Sequence, residues 1–138
     1  MAQTVREIMS KPVTCPADAT VIDAARRMRD DDIGDVVVES GGALRGIVTD
    51  RDIVVRVVAE GEDPKECILL DICSGDLVTV APDTSIDDAA RQMRERAIRR
   101  LIVAEGDQPV GVVSIGDLAI ERDEDSALAD ISAAPGND

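Results

Sequence analysis

Leu44-Arg45-Gly46-Ile47-Val48-Thr49-Asp50-Arg51-Asp52-Ile53 and Pro109-Val110-Gly111-Val112-Val113-Ser114-Ile115-Gly116-Asp117-Leu118 are two copies of one pattern. Each holds a glycine, two branched apolar residues, a hydroxyl residue, two variable residues, an aspartate and an aliphatic residue. The branched run reads as a buried strand. A hydroxyl followed three residues later by an acid is a helix-start signature. Each copy is therefore a strand running into a helix, with a hydroxyl and a carboxylate at the turn between them.

Working outward, the two copies belong to a longer repeat. A constant offset of 65 sets Thr14 on Thr79, Ala25 on Ala90, Met28 on Met93, Ile33 on Ile98, Gly46 on Gly111 and Asp52 on Asp117. Ahead of that span, Ile8-Met9-Ser10 matches Ile72-Cys73-Ser74 at an offset of 64, a one-residue insertion. The chain is a tandem duplication, with one repeat over 1–62, a second over 63–123 and a short helical or frayed tail over 124–138.

The same elements are expected in each repeat. Thr4-x-x-Glu7 reads as a capping box opening a short helical turn, and Val13-Thr14-Cys15 as a short strand. Thr20 then opens a helix whose face carries Val21, Ala25 and Met28; Ser85 opens its counterpart, with Ile86, Ala90, Met93 and Ala97. Strands are expected over 35–39 and 100–104, each followed by a glycine turn and the strand of the quoted pattern. The last helix spans about 51–59 and 116–122. Its first copy carries a conflict, because Ile53-Val54-Val55-Arg56-Val57-Val58 has strand propensity. The second copy, Leu118-Ala119-Ile120-Glu121-Arg122, lacks it, and two copies of one unit share a fold. The result is an α/β (α+β) chain of two β-α-β-β-α repeats. A lone repeat exposes a sheet face, so the two are expected to pack sheet to sheet about a pseudo-twofold axis, leaving two clefts.

Composition narrows the chemistry. The 138 residues include no His, Phe, Trp or Tyr, which excludes a Ser-His-Asp triad, a Cys/His zinc site and an aromatic platform for single-stranded bases. About 68% of the unfolded surface of such a chain can be buried, and aliphatics must build that core. Fifteen basic and 29 acidic residues leave a net charge of −14, which repels nucleic acid and anionic membranes. The three cysteines, Cys15, Cys67 and Cys73, lack metal-ligand spacing and read as reduced thiols of a cytoplasmic chain, a redox role being the alternative. The N-terminus reads as free of a signal peptide, and there is no run of about 18 apolar residues to span a membrane.

The hydroxyl–aspartate pairs have two readings. As structure, Thr49 with Asp52 and Ser114 with Asp117 are capping boxes, a device the chain repeats at Thr20 with Asp23 and Ser85 with Asp88. As function, a carboxylate in a helix's first turn can accept both hydroxyls of a ribose diol, and the backbone N–H groups there favour a phosphate. The two roles are compatible.

This repeated pattern resembles the nucleotide-binding signature of tandem CBS domains, named after cystathionine β-synthase. The resemblance covers roughly residues 4–123, includes Ile8-Met9, Ile33-Gly34-Asp35 and Ile98-Arg99-Arg100-Leu101, and is strongest to free-standing bacterial pairs of the actinobacterial hypoxic-response type. It implies a non-catalytic regulatory module with no required cofactor, binding AMP, ADP, ATP or another adenosyl ligand. Asp52 and Asp117 would hold the ribose, and Thr49 and Ser114 would face ribose or phosphate. Adenine would lie between aliphatic side chains, with backbone groups near Val13, Thr14, Val78 and Thr79 reading its edge. Arg51, Arg99, Arg100 and Gly116 would face phosphate; the alternative for the arginines is a solvated surface. Asp35 and Asp50 set negative charge beside the first turn. The resemblance also implies a homodimer through the helices, with a protein partner, and allows a pure interaction scaffold with ligand-free clefts.

Overall fold

Thr20 and Ser85 each turn extended backbone into an eleven-residue helix, α1 over Val21–Asp31 and α4 over Ile86–Arg96. The Thr20 hydroxyl accepts the Asp23 N–H at 3.3 Å and the Ser85 hydroxyl accepts the Asp88 N–H at 3.0 Å, satisfying one otherwise orphaned donor in each helix. Both helices stop on a left-handed residue that is not glycine, Asp32 at φ 54° and Ala97 at φ 53°. The residue after each, Ile33 or Ile98, donates its N–H back to the carbonyl of Met28 or Met93. That closure offsets a left-handed conformation costing roughly 1–2 kcal/mol.

The computed structural model describes residues 3–74 and 77–122; the tail expected over 124–138 lies outside them. In chain order the remaining elements are a 3-10 turn over Val5–Glu7, β1 over Thr14–Pro16, β2 over Asp35–Ser40, β3 over Ala43–Thr49 and α2 over Asp50–Ile53. A π-helical segment over Val54–Val58 follows, then α3 over Leu69–Ile72, β4 over Thr79–Val80, β5 over Arg100–Glu105, β6 over Gln108–Ser114 and α5 over Ile115–Arg122. The architecture is α+β, with two three-stranded sheets, ordered β1-β2-β3 and β4-β5-β6. In each the first pair is parallel and the second antiparallel. Each hairpin carries an irregularity at the same place, between Val38 and Glu39 and between Val103 and Ala104.

The chain forms two compact units, and their membership departs from linear order: Pro12–Leu77 make one, while Met1–Lys11 join the unit that begins at Val78. The short segment leading each repeat thus packs on the sheet of the other repeat. In the first unit Leu69 and Ile72 of α3 join Val36, Val38 and Val48. In the second, Val5 of the 3-10 turn joins Leu101, Val103 and Val113. Each fully buried aliphatic of this kind contributes about 1.5–3 kcal/mol.

Four local expectations are corrected. The buried residues of α1 are Val21, Ala24 and Met28, and those of α4 are Ile86, Ala89 and Met93, so the core face is centred one residue before Ala25 and Ala90. Ala97 lies beyond the end of α4 and is exposed. Thr4 makes no side-chain cap; the Gln3 N–H donates to the Glu7 carboxylate at 2.6 Å instead. The conflict over 53–58 resolves as helix, but of π type, with the Ala59 N–H reaching the Val54 carbonyl at 2.8 Å. Widening the turn spreads crowded β-branched side chains. Val57 is fully buried while Val54, Val55 and Val58 stay exposed.

All three thiols are free, Cys15 buried and Cys67 and Cys73 half-buried. Burial pushes the Cys15 thiol above its ordinary 9.0, against the pull of the Arg27 guanidinium. Burial likewise raises Cys67, helped by Glu62, and Cys73, where a hydrogen bond from the residue's own backbone N–H and the nearby Arg45 act the other way. A folded pKa above the unfolded one means the native state favours the protonated thiol. This contribution is complete below pH 9 and declines as the pH rises past the folded values. Alkylation by iodoacetamide at pH 8 is expected to be several-fold slower in the native chain than in urea. Equal rates would contradict the burial argument.

Candidate functional site: the paired hydroxyl–aspartate turns

β3 and β6 deliver the two quoted patterns to equivalent turns. At the first, the Thr49 hydroxyl accepts the Asp52 N–H at 3.1 Å, and the Thr49 N–H donates to Asp52 Oδ2 at 2.9 Å. At the second, the Ser114 hydroxyl accepts the Asp117 N–H at 3.2 Å, and the Ser114 N–H donates to Asp117 Oδ2 at 2.8 Å. Both are closed reciprocal boxes, so the structural reading of the sequence is realised. All four side chains are half-buried. Each box commits one carboxylate oxygen, Oδ2. Asp52 Oδ1 lies 3.9 Å from Arg56 Nε, an ion pair within one helical turn.

The glycines that open the two patterns have a packing reason. A Cβ on Gly46 would lie 2.7 Å from both Cys73 Sγ and the Ser74 carbonyl oxygen. A Cβ on Gly111 would lie 2.7 Å from Met9 Cγ. The leading segments cross the motif strands there, through isolated bridges between Ile47 and Ser74 and between Val112 and Ser10. The matched pairs Met9-Ser10 and Cys73-Ser74 are thus visible in the sequence, but their approach to the glycines is not.

The other candidate residues fall at defined positions. Asp35 stands opposite Thr49 across the β2–β3 ladder, and Arg100 stands opposite Ser114 across β5–β6. The Asp50 N–H donates to the Gly34 carbonyl, and the Ile115 N–H to the Arg99 carbonyl, each at 2.9 Å. Gly34-Asp35 and Arg99-Arg100 therefore flank the two turns equivalently, with opposite charge. Arg51 is exposed beside Asp50, and Gly116 sits half-buried in the first turn of α5. Arg99 is exposed at the rim of an open groove of about 530 Å³ between α4 and α5, floored by Met93, Ile98 and Leu118. The Val13 carbonyl is already used by the Val37 N–H, so its backbone edge belongs to the sheet. Thr14 is half-buried in β1; Val78 packs on the second core, and Thr79 is exposed at the start of β4. Arg56 is the residue the motif reading missed. Its only sequence signal is that the position 65 residues on holds the opposite charge, Glu121.

Two α+β repeats, each presenting a boxed hydroxyl–aspartate pair where a strand enters a helix, define a tandem-repeat protein with one such turn per repeat. A family model described as the CBS domain matches residues 5–59 and 69–124, and the chain belongs to the CBS-domain family. It is 34% identical to the CBS domain-containing protein YhcV of Bacillus subtilis, over 94% of this chain and 95% of that one. It is 32% identical to hypoxic response protein 1 of Mycobacterium tuberculosis, over 94% of this chain and 92% of the relative. Among solved structures, the hexameric CBS-CP12 protein from bloom-forming cyanobacteria superposes with a TM-score of 0.79 at 33% identity, over 89% of this chain and 70% of that one.

Proposed function

We propose that this chain is a non-catalytic regulatory module whose hydroxyl–aspartate turns bind an adenosine nucleotide (AMP, ADP or ATP), and that it acts as a sensor of energy state or of a related metabolite. One observation carries the reading: the capping box fixes each aspartate half-buried while committing only one of its two oxygens. A pre-oriented carboxylate of this kind accepts ribose hydroxyls through charge-assisted hydrogen bonds, with little ordering left to do on binding. Asp52 and Asp117 are the ribose acceptors, with Thr49 and Ser114 beside them. Val13, Thr14, Val78 and Thr79 form the adenine pocket, and Arg51, Arg99, Arg100 and Gly116 face phosphate. No nucleophile–base pair is assigned, since the chain has no histidine and the described residues hold no cluster of three or more His, Cys, Asp or Glu side chains suited to a metal. A regulatory output requires the nucleotide to bind two states of the protein unequally.

The test is thermal unfolding with AMP, ADP and ATP, each at millimolar concentration. A ligand present at 100 times its Kd stabilises the folded chain by about 2.7 kcal/mol, which for this size is a rise of about 8 °C. No shift with any of the three would sink the nucleotide reading.

A second reading, a homodimeric interaction scaffold, is favoured by exposed apolar groups on the terminal helices of both repeats: Val54, Val58 and Ile115 are each more than half exposed. The hexameric assembly of the cyanobacterial relative supports self-association here too. Its net charge of −14 suits a basic protein partner and disfavours nucleic acid or an anionic membrane. A monomeric mass for the ligand-free chain would remove this reading.

A further inference from the structure

The two turns are built alike and charged differently. At the first, Arg56 is held at two points. Its Nη1 donates to the Ile72 carbonyl, the last residue of α3, at 2.9 Å, and its Nε lies 3.9 Å from Asp52 Oδ1. The oxygen that the capping box leaves over is therefore already paired, by a cation anchored to a neighbouring helix. A ribose hydroxyl arriving at Asp52 must displace or share that cation. At the second turn the position equivalent to Arg56 is Glu121, and Asp117 Oδ1 takes no hydrogen bond or ion pair from the described residues.

The surroundings reinforce the contrast. Asp35, Asp50 and Asp52 with Arg51 gather at the first turn, and Arg99 and Arg100 with Asp117 at the second. With Arg56 and Glu121 counted, the first turn holds three acids against two arginines and the second two of each, so a phosphate dianion meets net negative charge only at the first.

We infer that the turns are functionally unequal: an anionic adenosine nucleotide binds at Ser114/Asp117, one per chain, and Arg56 acts as a positioning residue that holds the Thr49/Asp52 turn closed to it. The inference rests on the nucleotide reading above and specifies which half of the duplication carries it.

Isothermal calorimetry with AMP, ADP and ATP in turn tests it, on the full chain and on two variants that leave both motifs intact. The wild type is expected to bind one nucleotide per chain. Arg56→Gln, which uncovers Asp52, is expected to raise the stoichiometry to two. Glu121→Arg, which installs the Arg56 device at the second turn, is expected to weaken binding at least tenfold. Thermal unfolding of each variant confirms that it folds. Two equal sites in the wild type would overturn the inequality and leave the nucleotide reading standing. A stoichiometry of one in Arg56→Gln, or unchanged affinity in Glu121→Arg, would overturn the role of Arg56. Absence of heat with all three nucleotides would remove the nucleotide reading itself and the inference with it.

Discussion

Gly46→Val is expected to lower the unfolding free energy by about 3 kcal/mol, the upper part of the range for overpacking a filled site. The new side chain would begin 2.7 Å from the carbonyl oxygen of Ser74, a residue whose backbone N–H donates to the Ile47 carbonyl of β3 at 3.1 Å. Backbone cannot swing away as a side chain can, so relief requires α3 and the strand to part. A domain of this size has only about 5–15 kcal/mol of stability in all. The symmetry-related Gly111→Val is the control. The atoms nearest its added Cβ are Met9 Sδ and Cγ, which can rotate away, and Met9 Cβ at 2.9 Å, which the backbone holds; with no backbone atom among them the expected loss is smaller, about 1–2 kcal/mol. Urea midpoints for the two variants measure the difference. Equal losses would show that the leading segments yield alike and that the Ser74 carbonyl is not the obstacle.

Asp117→Ala is expected to weaken nucleotide binding by about 10- to 150-fold for each ribose hydrogen bond lost, from about 1.5–3 kcal/mol per charge-assisted bond. The substitution also leaves the Ser114 N–H without its acceptor, destabilising the second unit by about 1 kcal/mol. Two controls separate these effects. Ser85→Ala removes a cap of similar worth from α4 and is expected to leave affinity unchanged. The 2′-deoxy form of the nucleotide should bind the wild type more weakly than the ribose form, while Asp117→Ala should no longer distinguish them. Equal affinity of wild type and Asp117→Ala for the ribonucleotide would take Asp117 out of the site.

Much of the site's local geometry was legible from short-range chemistry. A hydroxyl three residues before an acid closes its own hydrogen bonds, and the boxes at Thr49 and Ser114 formed as spaced. The same rule failed at Thr4, where the turn is too tight for an α-helical box and Glu7 reaches back to Gln3 instead. The charge contrast between Gly34-Asp35 and Arg99-Arg100 was equally readable, because a strand-to-helix turn must place the preceding strand's first residues beside it. Arg56 was not readable as a partner of Asp52, since an arginine four residues after an acid on an exposed helix is ordinarily solvated. What singles it out is the Ile72 carbonyl, sixteen residues away, and only folding supplies it.

The sequence by itself determined the duplication, the order of strands and helices, the two capped turns and the family to which they belong. These are properties of spacing and hydrogen bonding within three or four residues, and an offset of 65 repeats them without regard to context. Tertiary structure alone decided that residues 3–11 pack with the second repeat and α3 with the first, and that Gly46 and Gly111 are glycines because those segments cross them. It also decided that a valine-rich run winds as a π-helix burying Val57. Such outcomes depend on how closely distant pieces of chain approach, and close packing between remote segments leaves no periodic trace in either segment.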